Sequence, residues 1–432
     1  MKQEISNNAF KVVAKVEKHF FPELNGKIQE ITDPRKDNIK YPLAVLIHTE
    51  ILNFLTFGQA QRRIEKQFNT KSFFENVSKL SGTKQLKKIF DAEILTDTFS
   101  RLIIKEVENL RDGMTKKLLR NKIIDTDKVY GYFNVLVDST RFQKAHYEVS
   151  KQWLHMTHEG VTSWYIAVEE AKIMGRKMAL SIGTEMIRNE DGNTKQDCEI
   201  NAFKRLAYKL KKIYPKLKIR VLGDSLYACE PVISICRKNY WEYLIVLKEE
   251  RLPSVMEQYL ELVWQESDNF LWQEDEKEIK VYQWVNGIDN EKYTTNILEE
   301  ITYYKKSKEQ TKWMWITNRE ITSRNVEVLA RTGRKRSYIE NQGFKEQKSG
   351  CFALEHVYSR NYNAIQVIYL LIQIAHIIEQ LIEHSNIVGS FRKKYGSVRD
   401  FSLQLLIYLT QFTIRETEYS ELLEQKIQIR FQ

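Results

Sequence analysis

Apolar positions in the first third of the chain recur with the spacing of an amphipathic helix. The segments LAVLIHTEILNFL and AEILTDTFSRLIIKEVENL place apolar residues at i, i+3, i+4 and i+7. The pattern extends from Ala44 to about Lys122, and few β-branched runs or turn pairs interrupt it. The sequence therefore predicts an all-α amino-terminal region, which we place at residues 1–128.

The pattern changes at Tyr130 to runs that are typical of buried strands. YGYFNVLVDSTRF predicts a strand that ends at Asp138, and SWYIAVEEAKI and KMALSIGTEMI predict two more strands, joined by a short turn near Gly175. An amphipathic helix follows from about Asp197 to Tyr214. A short buried strand, IRVLGD, then ends at Asp224, and a further helix and the strand EYLIVLK come after it.

The order of these elements indicates an α/β fold. The first three strands are joined tightly enough for an antiparallel meander, and the later strands alternate with helices, as parallel crossover connections do. This order predicts a mixed sheet with helices on both faces, which is the ribonuclease H-like plan. We assign this domain to residues 129–253 and 319–388.

Two segments depart from this plan. Residues 254–318 are rich in Trp, Tyr, Glu and Thr and contain alternating runs such as IKVYQWV and KWMWITN, which predict a β-rich insertion. Residues 389–432 predict a charged helical segment. The most apolar stretch, residues 364–383, is interrupted by polar side chains, so we interpret it as a buried helix and expect no membrane span.

The charge of the chain favours a polyanionic partner. Its formal net charge is +10, and nucleic acid is the commonest polyanion that basic proteins bind. None of the four cysteines belongs to a C-x-x-C pair, which argues against zinc-ribbon and thioredoxin-like sites. The cysteine usage fits a reducing compartment, and the first residues lack the apolar core of a signal peptide, so we expect a cytoplasmic protein.

Two acidic residues stand where strands leave the predicted sheet. Asp138 closes the run VLVD, and Asp224 closes the run VLGD. In open α/β sheets, functional sites form at the carboxyl ends of strands. We predict that these two strands are neighbours, so that the carboxylates lie side by side. The alternative is local turn chemistry, in which an Asp followed by Ser caps nearby N–H groups.

A third acid, Glu340, lies in the predicted helical segment RKRSYIENQGFKEQK. Arg336 precedes it by four residues and therefore shares its helix face; an ordinary surface ion pair is the alternative interpretation. Three carboxylates suit Mg²⁺ or Mn²⁺, which take oxygen ligands. Two such ions clamp the attacking and leaving oxygens of a phosphoryl displacement. Asp197 and Glu199, near a predicted helix start, are interpreted as acids that stabilise the helix dipole, with metal binding as the alternative if one of the three acids is not a ligand.

These residues occur in segments that resemble DDE transposases of bacterial insertion sequences, in the group with a β-strand insertion before the last acid. The segments lie between about Tyr130 and His384 in the order VLVDSTRF, KQDCEINAFKRL, VLGDSLYACEPVISIC, RSYIENQGFKEQKSG and LEHVYSRNYNAI. The resemblance implies that Asp138, Asp224 and Glu340 are the catalytic and metal-binding residues, with two Mg²⁺ or Mn²⁺ ions as cofactors.

The last motif of that group contains a Tyr, an Arg, the Glu and a Lys at fixed spacing. Arg336 and Glu340 match it, whereas Gly333 stands at the Tyr position and Gln347 at the Lys position. The resemblance implies that basic residues around the acid contact DNA phosphates. We assign this contact to Arg334, Lys335, Arg336, Lys345 and Lys348.

The resemblance implies a DNA transposase that cleaves strands at the ends of an insertion sequence and joins the freed 3′ ends to target DNA. Its partners are then double-stranded DNA, in the form of the terminal repeats and the target, and a second copy of the chain in a homodimer. The amino-terminal helices are candidates for recognising the terminal sequence. The expected location is the cytoplasm, at the bacterial nucleoid.

Two alternative functions and one alternative role stay open. The chain is either an active transposase, a ribonuclease H-like nuclease without strand transfer, or a catalytically inactive DNA-binding protein derived from a transposase. Its three acids argue against the inactive form, and Gly333 and Gln347 argue for it. The tryptophans of the insertion either stack on an unpaired base or form a β core.

Overall fold

The structure is a computed structural model in which helices from both ends of the chain pack around a central sheet. It describes residues 8–36, 39–58, 60–84, 86, 90–124, 128–175, 177–192, 195–266, 268–290, 292–350, 352–425 and 429, with residues 195–197 and 349 described by their backbone only.

The amino-terminal part of the chain is helical. Asn8 caps the first helix by accepting the backbone N–H groups of Phe10 and Lys11, and Thr70 caps the fifth in the same way. The third helix is buried along its whole length, which fits its mainly apolar sequence. The helices are α1 (Ala9–Phe20), α2 (Leu24–Gln29), α3 (Leu43–Leu55), α4 (Arg62–Gln67), α5 (Lys71–Leu80), α6 (Ala92–Arg101) and α7 (Ile104–Arg120).

The central sheet is mixed. Strand β1 pairs antiparallel with β3, and β3 pairs antiparallel with both β2 and β4, whereas β1, β5 and β6 run parallel to one another. The elements of this part are β1 (Phe133–Ala145), β2 (Leu154–His158), β3 (Val161–Met174), β4 (Ala179–Met186), α8 (Lys195–Ile213), β5 (Ile219–Gly223), α9 (Glu230–Lys238) and β6 (Glu242–Val246).

The β-rich segment continues the same sheet. Its four strands form an antiparallel meander, and the last of them pairs with β6, so the ten-stranded sheet has the order β2-β3-β1-β5-β6-β10-β9-β8-β7, with β4 beside β3. The elements are α10 (Pro253–Leu262), β7 (Phe270–Glu274), β8 (Glu278–Asn290), β9 (Tyr293–Tyr304) and β10 (Gln310–Thr317).

The remaining helices close the molecule over the sheet. Asn361 caps the longest of them by accepting the backbone N–H of Ala364. That helix, α13, is long and apolar enough to cross a membrane by length and composition, but most of it is buried in the molecule. The elements are α11 (Val326–Arg334), a π-helical segment (Ile339–Phe344), α12 (Lys345–Ser349), α13 (Tyr362–His384), α14 (Phe391–Tyr395), α15 (Val398–Gln411) and α16 (Glu416–Glu424).

Helices cover both faces of the sheet, as consecutive residues of β3 demonstrate. Glu170 faces α13, where the Tyr369 hydroxyl donates to it at 3.1 Å. Glu169 points to the opposite face, where the Tyr227 hydroxyl donates to it at 2.6 Å. The predicted α/β class, with a mixed sheet and flanking helices, is confirmed.

The prediction that the first strand ends at Asp138 is wrong. Strand β1 continues to Ala145, because residues 139–145 find hydrogen-bonding partners in the first half of β3. This extension pairs with a strand that itself begins at Val161, after the exposed β2 hairpin. Asp138 therefore lies within a long strand, whereas Asp224 directly follows the end of β5, as expected.

Candidate active site

Asp138 and Asp224 lie side by side on neighbouring parallel strands. The register pairs Leu136 of β1 with Leu222 of β5, and each aspartate comes two residues later. Ser139 donates its backbone N–H to Asp138 Oδ1 at 2.9 Å, and Leu226 donates its backbone N–H to Asp224 Oδ1 at 2.8 Å. Asp224 thus caps the turn that follows its strand, whereas Asp138 accepts the N–H of the next residue within β1, and the Oδ2 atoms of both acids face Arg336.

Glu340 is linked to these two acids by the guanidinium group of Arg336. It lies in the π-helical segment, one turn after Arg336, whose Nη2 atom is 2.7 Å from Glu340 Oε1. The same Nη2 atom is 3.6 Å from Asp224 Oδ2 and 3.7 Å from Asp138 Oδ2. Three carboxylates that are far apart in sequence therefore surround one guanidinium group.

The three carboxylates differ in how deeply they are buried. The exposed fraction of the side chain rises from 11% at Asp138 to 24% at Asp224 and 51% at Glu340. Burial raises the pKa of Asp138 to about 7; the neighbouring acids act in the same direction, and Arg336 opposes them. A cluster of this kind stabilises any cation that is placed among its oxygens.

The donor set has the chemistry of a divalent-cation site. Within the described residues, no group of three His, Cys, Asp or Glu side chains is spaced to hold a metal ion as it stands. The guanidinium of Arg336 lies where the three carboxylates converge. The ligand atoms are all carboxylate oxygens, which Mg²⁺ and Mn²⁺ prefer, so these residues fit such an ion once Arg336 has moved.

Further acids lie beneath the site, and the sequence analysis did not assign them to it. The hydroxyl of Ser139 donates to Glu199, which is buried and adds to the electrostatic field at Asp138. Glu169 is fully buried, and burial raises its pKa well above the usual value. The signal in the sequence was the pair of glutamates in the middle of the apolar strand SWYIAVEEAKI. The side chain of Asp197 lies outside the described residues.

The basic residues assigned to DNA contact differ in their surroundings. Arg334 is held by Glu300, with Nη2 at 2.5 Å from Oε1, and its guanidinium is 5.6 Å from the ring of Trp313. Lys348 is partly exposed and forms an ion pair with Glu355 at 3.5 Å. Lys345 is exposed, and Lys335 is partly buried.

Both departures from the group's last motif have a structural explanation. Gly333 packs against Trp315 so closely that a Cβ atom would overlap the indole ring. Gln347 is fully buried, and its side chain bonds to Gln373 and His376 of α13. Position 333 therefore has no room for a tyrosine, and Gln347 faces the interior rather than a ligand.

The tryptophans of the β-rich segment divide between the two interpretations. Trp284 and Trp315 are buried and belong to the core between the sheet and α11. Trp264, Trp272 and Trp313 are exposed at 81%, 57% and 37%. Burial in a core thus accounts for the first two. Trp264 and Trp272 are largely exposed, and the partly exposed ring of Trp313 stacks on Trp315.

The region that carries the three acids matches a known family. The family model of the transposase DDE domain matches residues 134–378, which is more than half of the chain and includes all three acids. A search of curated proteins gives no match.

Proposed function

The chain belongs to the family of transposases with a DDE domain, and we propose that it cleaves DNA at the ends of an insertion sequence and joins the freed 3′ ends to target DNA. The observation that carries this proposal is the convergence of Asp138, Asp224 and Glu340 on one guanidinium. The family acts on DNA, and the net charge of +10 suits such a substrate.

The three acids would hold two Mg²⁺ or Mn²⁺ ions. When bound, such ions activate the attacking oxygen and stabilise the departing 3′-oxygen in an in-line phosphoryl displacement. The backbone N–H groups of Ser139 and Leu226 fix the Oδ1 atoms of Asp138 and Asp224. These bonds leave the Oδ2 atoms of both acids directed to the point that Arg336 occupies.

Arg336 has two partners in this proposal. Without DNA it pairs with Glu340 and lies close to Asp138 and Asp224. With DNA it exchanges these acids for a phosphate oxygen, since guanidinium groups bind phosphates in the same forked geometry as carboxylates. Its departure makes room for the cations. Lys335, Lys345 and Lys348 would hold the flanking phosphates, because they lie on the same stretch of chain as Glu340.

Arg334 has a different part in the proposal. Its ion pair with Glu300 of β9 connects α11 to the β-rich segment beside the exposed ring of Trp313. A phosphate at this position would share the guanidinium with Glu300. We therefore propose that Arg334 contacts DNA at the edge of the site, with Trp313 next to it.

The assembly and location follow from the proposed reaction. Two element ends must be brought together, so we propose a homodimer acting on terminal repeats and target DNA in the cytoplasm, at the nucleoid. Residues 1–128 are proposed to recognise the terminal sequence. Sedimentation of the chain alone and with DNA of the element's end tests the dimer.

The experiment that tests the proposed function uses precut element ends, target DNA and Mg²⁺. The unaltered chain is expected to join the ends to the target, and Asp224→Asn is expected to lose joining and cleavage together. Asp289→Asn, at an exposed acid of β8, is the matched control and retains both. Cleavage without joining by the unaltered chain would favour the nuclease alternative, and full activity of Asp224→Asn would overturn the proposal.

A further inference from the structure

A buried polar network lies behind the segment that carries Glu340. Its four fully or almost fully buried members come from three elements: Lys172 of β3, Gln347 of α12, and Gln373 and His376 of α13. Buried polar groups lower stability unless they are hydrogen-bonded, and these four bond to one another. The network therefore joins the segment after Glu340 to strand β3 of the sheet and to helix α13.

The two glutamines form the centre of the network. Gln347 donates to Gln373 Oε1 at 3.0 Å, and Gln373 donates back to Gln347 Oε1 at 3.2 Å. The second N–H of Gln347 is directed to His376 Nδ1 at 3.0 Å. His376 Nε2 then lies 3.3 Å from Glu346, which suits a neutral ring that donates from Nε2.

Lys172 connects this pair to the strands of the active site. Its Nζ atom donates to Gln373 Oε1 at 3.0 Å and lies 5.5 Å from the centre of the Phe344 ring. Its aliphatic chain passes under Gly343, where a Cβ atom would come within 3.2 Å of Lys172 Cδ. Lys172 also pairs across the sheet with Leu136, two residues before Asp138.

The π-helical segment explains why a residue seven positions after Glu340 points inward. A π-helical turn holds one residue more than an α-helical turn, so everything after Phe344 is rotated relative to Glu340. In an unbroken α-helix, Glu340 and Gln347 would share a face. With the extra residue, Gln347 turns toward α13, and Lys348 takes the place that Gln347 would have had.

We infer that the Gln347–Gln373 pair and Lys172 are positioning residues that hold Glu340 in register with Asp138 for metal binding. This inference rests on the proposed function. Glu340 is half-exposed, and its ion pair is with Arg336, a residue that must release it when DNA binds. The position of its carboxylate then depends on how the π-helical segment and α12 are anchored.

The polar character of the Gln347–Gln373 pair and Lys172 fits a positioning role. Apolar contacts are non-directional, whereas a set of directional hydrogen bonds has one arrangement in which every group is satisfied. Metal ligands need placement within about 0.5 Å. Burial also lowers the pKa of Lys172 to about 8. A buried amine lowers the stability of the fold, so packing alone does not explain why a lysine stands at this position.

The test compares Mn²⁺ binding by the full chain and three variants, measured by electron paramagnetic resonance of free Mn²⁺. Gln347→Met and Lys172→Met keep the side-chain volume and remove the bonds on opposite sides of the network. The control is Asn76→Leu, because the buried carboxamide of Asn76 bonds to Leu409, Phe412 and Ile414, among helices remote from the network. Thermal unfolding of each variant reports its stability.

We expect both network variants to weaken Mn²⁺ binding by about 10-fold to 100-fold, the usual effect of removing a group that orients a metal ligand. Asn76→Leu is expected to lower the unfolding temperature and leave Mn²⁺ affinity unchanged. Every variant keeps Arg336, so each free chain contains the same cationic group beside the three acids.

Unchanged Mn²⁺ affinity in a folded Gln347→Met or Lys172→Met variant would overturn the inference, as would an equal loss in Asn76→Leu. The Asp224→Asn variant distinguishes failure of the proposed metal site from failure of the positioning role. If Asp224→Asn binds Mn²⁺ as the unaltered chain does, the proposed site itself is wrong. If Asp224→Asn loses binding but both network variants keep it, only the positioning role is wrong.

Discussion

Gly333 and Trp315 are in such close contact that the backbone of α11 rests on the indole ring, and a Cβ atom at position 333 would overlap it. Trp315 in turn is fully buried and lies in β10, which pairs with β6 of the central sheet. This contact fixes the helix that leads into Arg336 and Glu340. It also connects the β-rich segment to the active site, since α11 packs on β10 through a residue without a side chain.

We expect Gly333→Ala to lower the free energy of unfolding by about 1–3 kcal/mol, because an added methyl group forces the indole or the helix to shift. The measurement is urea denaturation. Gly113→Ala is the matched control: Gly113 is also helical but has open space around it, so alanine should add about 0.5–1 kcal/mol of stability. Equal stability of the two variants would contradict the described contact.

Replacement of Arg336 is expected to change metal and DNA binding in opposite directions. Arg336→Gln removes the counterion of the three acids, so the free chain should bind Mn²⁺ more tightly than the unaltered chain does. The same variant loses a phosphate contact, so its DNA affinity should fall, and the slope of log affinity against log salt should decrease by about one.

Arg324→Gln, at an exposed position before α11, controls for the loss of one positive charge. It should leave Mn²⁺ affinity unchanged. If Arg336→Gln binds Mn²⁺ more weakly than the unaltered chain, then Arg336 helps to assemble the site rather than competing for it, and the exchange proposed here is incorrect.

The rotation caused by the π-helical segment distinguishes between two lysines. Lys348 takes the position that the residue seven after Glu340 would have in an α-helix, whereas Lys345 directly follows the segment. We therefore expect Lys348→Ala to weaken DNA binding and to lower the salt slope by about one. Lys345→Ala should have the smaller effect in the same titrations, and the reverse order would refute the rotation argument.

Stability should depend on pH through Glu50, a fully buried residue of α3. Burial raises the pKa of Glu50 from 4.5 to about 8, so between these values the folded chain keeps a proton that the unfolded chain has lost. The contribution of Glu50 to the free energy of unfolding thus decreases as pH rises from 4.5 to 8, by at most about 1.4 kcal/mol per pH unit.

Glu50→Gln removes this titration. We expect the variant to gain stability relative to the unaltered chain as the pH rises between 5 and 8, and the gain to level off above that range. Urea denaturation at several pH values measures the difference. A stability difference that is constant across this range would show that the pKa of Glu50 is near its ordinary value in the folded chain.

The sequence predicted the parts of the fold that depend on local pattern. The strand runs around Asp138 and Asp224, and the amphipathic helix between them, follow from periodicity, and neighbouring strands explain why these two acids lie together. Glu340 was assigned by the resemblance of its segment to the last motif of DDE transposases, in which an arginine stands four residues before the acid. In the structure the same arginine lies among all three acids.

What the sequence did not predict depends on partners that are distant in the chain. The second half of β1 is a strand because β3 pairs with it, and the β-rich segment joins the main sheet because β10 pairs with β6. The inward turn of Gln347 arises from a π-helical segment, which no local pattern indicates. A polar residue near a helix end is ordinarily expected at the surface.

A crystal structure of the chain with DNA of the element's end and Mn²⁺, recorded with anomalous scattering, would locate the metal ions and Arg336 in the active complex. We expect two anomalous peaks about 3.5–4 Å apart, between Asp138, Asp224 and Glu340, with the Arg336 guanidinium on a phosphate. Peaks at any other set of residues, or Arg336 still among the three acids beside bound Mn²⁺, would contradict this expectation.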